Sequence, residues 1–318
     1  MTLREFVNTF WKPFLDRKNL KPAARSGYRS VLDYHLFPDL GDVPLSGITP
    51  LHIENLVRKK EIQKLSPKSI RNILVVFQGI FNVALDNDLI QRSPIRKSHR
   101  PDCRRFEKMA WSADQLKQIL EKAPPEYSCL FTCIALNGLR PGELLALKWK
   151  YVDFNAGVIK VEQSLWRGQI VAPKTIGSTR TVPYGAVLGE ILANHKRKSL
   201  NSQPEDFVFC KPDGDFFNQD FLRKDVLYPI LDRLNIARPK RSAGFHCFRH
   251  SAASLTNNQT GNLKLAQNLL GHSNLSTTAD IYTHTSTEAQ REASEILEQA
   301  VFGNLFPICS QKGIGTVQ

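Results

Sequence analysis

Acidic residues are scarce in this chain. Its 318 residues hold 30 Asp and Glu against 43 Lys and Arg, giving a formal net charge of +13 and a pI near 9.5. A surplus of that size points to a polyanionic partner. The deficit is uneven: residues 1–105 hold 19 Lys and Arg against 10 Asp and Glu, and the remainder 24 against 20. Paired cysteines are missing as well. Cys103, Cys129, Cys133, Cys210, Cys247 and Cys309 form no CxxC pair, which argues against a zinc ribbon and a dithiol redox motif. Cys129 and Cys133 share one apolar helical face and read as reduced core residues. No run of about 18 apolar residues occurs, so no membrane span is expected. The opening MTLREFVNTFWKPFLDRK is charged throughout and lacks the apolar stretch of a secretion signal. No internal repeat is visible. These absences predict a cytoplasmic protein. Its composition, 42% hydrophobic and 23% charged, is that of a globular chain long enough for two domains.

Apolar spacing then divides the chain. Helices are expected over residues 3–16, 23–37, 51–60 and 66–87, with Pro13 kinking or shortening the first. Thr49-Pro50 and Ser66-Pro67 each supply an N-cap and an N1 proline. Residues 1–95 thus read as a helical domain with basic residues between the helices. Residues 96–110 carry Arg96, Lys97, Arg100, Arg104, Arg105 and Lys108 with no apolar period. They read as a flexible basic linker suited to crossing a phosphate backbone, although a merely solvated linker has the same composition. From Ser112, whose capping box with Gln115 opens a helix, residues 111–302 form a second domain. It is helical apart from strands expected near 158–161, 170–174, 180–183 and 207–209. Later helices are expected over 186–198, 219–234, 246–255, 263–270, 277–284 and 287–301. Residues 303–318 read as a flexible tail. The fold class expected is mainly α with a small β-sheet: a helical N-terminal domain and a mixed α+β second domain.

The second domain holds a set of polar residues in apolar surroundings. Arg140 and Glu143 lie in NGLRPGELLALKW, Lys174 in APKTIGSTRTVP, and His246 and Arg249 in FHCFRH. LLGHSNLSTTADIYTH contains His272 and, ten residues on, Tyr282. Two planar, always-charged guanidiniums suit the two non-bridging oxygens of a phosphodiester. A lone arginine is usually a solubilising surface group. An unpaired charge within LNGLRPGELLAL or GFHCFRHSAASL would be costly, so both arginines need partners or a ligand. Glu143 lies one turn after Arg140, where it is placed to cap the helix that Pro141 starts. His246 and Arg249 are one turn apart, on one helical face. His246 and His250 have the spacing of a zinc pair, but Cys247 stands where a zinc protease needs glutamate, so no metal is expected. A phenol with a pKa near 10 needs a base or nearby cations to attack at neutral pH, and this set supplies both.

In their order these boxes resemble the tyrosine recombinase (phage integrase) family, from near the N-terminus to about residue 300. The resemblance implies a core-type DNA-binding domain followed by a catalytic domain of that family. It also implies that Tyr282 attacks DNA to leave a 3′-phosphotyrosyl bond and a free 5′ hydroxyl, without metal, ATP or other cofactor. Arg140 and Arg249 would clamp the phosphate, and Lys174 would protonate the leaving oxygen. His246 would exchange a proton with the Tyr282 hydroxyl or hydrogen-bond a phosphate oxygen. His272 would hydrogen-bond the scissile phosphate, and Glu143 would buttress His246 or Arg140. Arg180 belongs to the lysine box but is assigned no chemistry. Phe248 stands where leucine is usual and is a packing position. The resemblance further implies double-stranded DNA at specific core sites as partner. Strand exchange would pass through a Holliday junction in a homotetramer on two duplexes, with accessory DNA-bending or directionality proteins. The helix near 287–301 would pack on a neighbouring protomer, although its amphipathic pattern fits its own domain equally. No separate arm-binding domain is expected ahead of the first helix. The rival readings are a type IB topoisomerase-like relaxase and a catalytically silent DNA-binding protein. Against the latter, all seven matching positions are filled.

Overall fold

A computed structural model describes residues 1–18, 20–103, 109–171, 179–238 and 244–271. The chain divides into two compact units, Met1–Phe106 and Glu107–Gln318. It is mainly helical with small antiparallel sheets, as the apolar spacing predicts.

Among its described residues the first unit has four long helices around one apolar core. They run over 3–17, 22–40, Pro50–Ile62 and Pro67–Asp86. The last is the longest because its apolar residues recur every three or four positions from Ile70 to Ala84. All of that face is buried, and the tilted rings of Phe77 and Phe81 meet with centroids 4.7 Å apart. Each such side chain contributes on the order of 2 kcal/mol.

Pro13 neither ends nor shortens the first helix. The residue before it, Lys12, donates its N–H five positions back, to Val7 O, and a widened π turn over Val7–Trp11 results. Phe37 before Pro38 and Tyr228 before Pro229 do the same, donating to Leu32 O and Arg223 O. A proline ring collides with the carbonyl four residues earlier, and one wider turn relieves that collision without breaking the helix.

Residues 96–100, read from sequence as the start of a flexible linker, form an ordered turn. His99 is buried, accepts the N–H of Arg96 at 3.0 Å through Nδ1 and lies 3.9 Å from Glu54 of the helix Pro50–Ile62. Arg96, Lys97 and Arg100 are left exposed on its outside.

The second unit opens at Trp111, whose N–H donates to Ser251 Oγ at 2.6 Å. Ser112 and Gln115 close the expected capping box. The helix Pro125–Asn137 is enclosed on most sides, with Cys129–Ala135 all buried. Phe248 is fully buried, edge-on to Trp111 at 4.8 Å and stacked on Phe131 at 5.8 Å, so an aromatic cluster occupies the position where leucine is usual.

Strands β1 (Val152–Asp153), β2 (Val158–Val161) and β5 (Arg180–Pro183) make a three-stranded antiparallel sheet, in which Val161 faces Arg180. Strands β3 (Ser164–Trp166) and β4 (Gln169–Val171) form a separate hairpin. Its turn residues Arg167 and Gly168 both have positive φ, 48° and 79°, as a two-residue hairpin turn of matching twist requires. The strand expected at 207–209 is only a single bridge from Phe207 to Lys148. Val208 donates its N–H to Leu147 O and its carbonyl meets His195 Nε2 at 2.7 Å, so no ladder forms.

Candidate active site

The helix Pro125–Asn137 stops at Gly138, whose left-handed backbone (φ 57°) no β-branched residue would adopt readily. A Cβ there would lie 3.3 Å from Leu270 and 3.5 Å from Ala252. Three segments therefore meet at this point: the loop carrying Arg140, the helix Phe245–Thr260 and the helix Leu263–Leu270.

Arg249 fastens them. It is only 4% exposed, donates Nη1 to Gly138 O at 2.6 Å and donates Nη2 to Leu270 O. Leu270 is the last residue of its helix, where carbonyls without helical partners carry partial negative charge and attract a cation.

Two residues beyond Gly138, Arg140 begins the short helix Pro141–Leu145. Glu143 accepts the Arg140 backbone N–H at 2.9 Å and its Nη1 at 2.7 Å, so it both caps the helix and braces the side chain. The Glu143 carboxylate thus contacts both the backbone and the side chain of Arg140. A second arginine joins from the sheet. Arg180 Nη1 and Nη2 donate to Oε1 and Oε2 of Glu143 at 3.1 and 2.9 Å, in the bidentate manner suited to a planar fork. The Glu143 side chain is 4% exposed and that of Arg180 9%, whereas Arg140 keeps 36%. Burial pushes the Glu143 carboxyl up, but the hydrogen bonds and charge of Arg180 and the charge of Arg140 outweigh it and hold the carboxyl below its ordinary value.

Two glycines allow the close packing. A Cβ on Gly142 would lie 2.6 Å from Leu165 O and from Ser164 Oγ, so only glycine lets the Arg140 helix lie against strand β3. Gly271 (φ 59°) would place a Cβ 2.5 Å from Arg180 Cδ, so the turn after Leu270 lies directly on the Arg180 stem.

The structure thus gathers Arg140, Glu143 and Arg249 around one loop. On the helix Phe245–Thr260, Arg249 is buried, His246 exposed and His250 half-buried. Lys174, His272 and Tyr282 lie outside the described residues, as do Arg104 and Arg105. Among the described residues no group of three or more His, Cys, Asp or Glu is placed to hold a metal ion. None of their helices is long and apolar enough to cross a membrane.

The sequence places Arg180 in the lysine box without a role, and its link to Glu143 appears only in the structure. The available signal was strand alternation: Arg180 shares the inward face of β5 with buried Val182, so its charge needs a partner.

Comparison with known proteins gives the family and the fold. The model for the phage integrase family matches residues 111–289, and that for the phage integrase N-terminal SAM-like domain matches residues 2–61. A tyrosine recombinase XerC-like protein of Caldanaerobacter subterraneus subsp. tengcongensis is 28% identical over 93% of this chain and 83% of its own length. The ICEBs1 integrase of Bacillus subtilis is 28% identical over 85% of this chain and 74% of its own. In fold, the chain is similar to the Tn1549 transposon integrase solved with circular intermediate DNA (TM-score 0.80, 22% identity, 93% of this chain and 99% of that one). A lambda integrase dimer bound to a core site is similar at TM-score 0.70, with 18% identity over 90% of this chain and 97% of that one. With the family model spanning more than half its length, the chain belongs to the phage integrase family, the tyrosine recombinases.

Proposed function

We propose that this chain is a site-specific DNA recombinase that integrates or excises a mobile element by transesterification. The observation that carries the reading is the pre-set cationic cluster. Arg140 is braced by a buried carboxylate and keeps an exposed side, and Arg249 is fastened to the same loop. A phosphodiester gains charge on its non-bridging oxygens in the transition state. Donors fixed beforehand stabilise that charge by on the order of 3 kcal/mol each.

In this reading the Tyr282 hydroxyl oxygen attacks phosphorus and its proton passes to His246. The bond from phosphorus to O5′ breaks, and Lys174 protonates the departing oxygen. His272 hydrogen-bonds the phosphate. The 3′-phosphotyrosyl bond conserves the phosphodiester energy, and a 5′ hydroxyl from a partner strand reverses the step to reseal. Two such exchanges pass through a Holliday junction. Residues 1–95 serve as the core-type DNA-binding domain, 96–110 as the linker, 111–302 as the catalytic domain and 303–318 as a tail. Arg96, Lys97, Arg100, Arg104 and Arg105 contact the backbone of double-stranded DNA, four protomers act on two duplexes, and accessory proteins set direction. Support comes from the net charge of +13 and from relatives that are themselves integrases and recombinases.

The test is covalent capture. The protein and its Tyr282→Phe variant are incubated with nicked duplexes drawn from the DNA flanking the gene, and denaturing gels are read for adducts. A Tyr282-dependent 3′ adduct at one sequence is expected. Site binding with no adduct on nicked or synapsed substrates would overturn the enzymatic reading and leave a DNA-binding protein.

A further inference from the structure

The buried carboxylate of Glu143 serves two arginines, and the count of charges matters. Both of its oxygens accept from both arginines: Oε1 from Arg140 Nη1 and Arg180 Nη1, Oε2 from the Arg140 backbone N–H and Arg180 Nη2. Arg140 with Glu143 alone would be a neutral pair. A neutral pair pulls weakly on a phosphate, because the carboxylate field opposes the guanidinium field at nearly the same distance. With Arg180 the cluster carries one net positive charge. Arg180 is 9% exposed and turned to the carboxylate, so the surplus is expressed on Arg140, which is 36% exposed. Nε and Nη2 of Arg140 have no partner among the described residues.

From this geometry we infer that Arg180 is a positioning and charge-balancing residue of the reaction. It neutralises Glu143 so that Glu143 can orient Arg140 without cancelling its charge toward the scissile phosphate. The inference rests on the recombinase reading and adds a residue to it. Arg180 touches no reacting atom; it acts through Glu143. Gly271, packed against the Arg180 stem, extends its influence to the turn immediately before His272.

A merely structural brace and a charge balancer respond differently to a second substitution. Arg180→Met leaves a neutral Arg140–Glu143 pair. Combining it with Glu143→Gln restores one net positive charge while the brace stays broken. The readout is the single-turnover rate of the Tyr282–DNA adduct on a nicked duplex, with thermal melting as the folding control and salt-dependent binding alongside. Arg180→Met is expected to slow adduct formation by at least about tenfold, the range for losing part of an oxyanion clamp. The double variant is expected to recover most of that loss, and Arg180→Lys, which keeps the charge but not the fork, to be clearly faster than Arg180→Met though slower than the parent. A double variant no faster than Arg180→Met, or Arg180→Lys as slow as Arg180→Met, would overturn the charge role. If Arg180→Met does not fold, the Lys variant and the double variant still decide. If the parent protein forms no Tyr282 adduct at all, the recombinase reading fails instead, and the two failures are distinct.

Discussion

Replacing Glu143 by alanine tests the cluster through stability alone, independent of any DNA. The substitution removes an acceptor whose side chain is 4% exposed and abandons Arg180, itself 9% exposed, as an unpaired buried cation. Breaking a buried pair from one side costs about 3–5 kcal/mol. Loss of the cap on the Arg140 N–H adds about 1 kcal/mol. Arg140 can turn to water, so it adds little more. The expected loss is therefore about 4 kcal/mol or above, large against the roughly 5–15 kcal/mol of a typical domain. The sign with pH follows from the carboxyl being held below its ordinary value. Its contribution is complete above the unfolded value near 4.3 and disappears as pH falls through the lower folded value. The parent and Glu143→Ala should thus differ most at neutral pH and converge under more acidic conditions. Urea titration with tryptophan fluorescence is the assay, because Trp111, Trp149 and Trp166 lie in the second unit and only Trp11 in the first. A neutral-pH loss under about 1 kcal/mol, or a difference that widens on acidification, would refute the assignment of Glu143 as the buried centre of this pair.

Gly271→Ala should destabilise the second unit by more than about 2 kcal/mol in the same titration. A left-handed backbone costs an L-residue about 1–2 kcal/mol, and the new Cβ would push on Arg180 from 2.5 Å. Thiol labelling at pH 8 should leave Cys129 and Cys133 unreacted in the folded protein. Burial pushes the Cys129 thiol up to about 12 and holds that of Cys133 well above its ordinary value. Cys103, half-buried, should react before either, and labelling of the buried pair should appear only with unfolding.

Much of the fold was legible because its signals are local. The Ser112–Gln115 box opens a helix through bonds spanning three residues, and the stop after Leu270 is a left-handed glycine next in sequence. Helices at Ala186–Lys198 and Leu263–Leu270 coincide with their apolar patterns for the same reason. The widened turns before Pro13, Pro38 and Pro229 were not legible. Proline announces a broken bond, but whether the helix ends or widens depends on what packing holds the far side in place. A strand at 207–209 failed for the opposite reason: its residues suit a strand, yet only one bridge partner reaches them.

For the candidate site, residue types and order singled out Arg140, Glu143 and Arg249 as groups needing partners, because charged groups in apolar runs must be paired or bind a ligand. Their partners were decided only by tertiary structure. Arg249 bonds to Gly138, 111 residues away in sequence, and Glu143 to Arg180, 37 away. Such pairings depend on which strand face turns inward and on two glycines, Gly142 and Gly271, that allow close packing, and no local spacing encodes either. The sequence determined the family and the chemistry it can perform. Folding decided that the buried carboxylate is shared between two arginines, because only packed elements bring charges from distant strands and loops within hydrogen-bond reach.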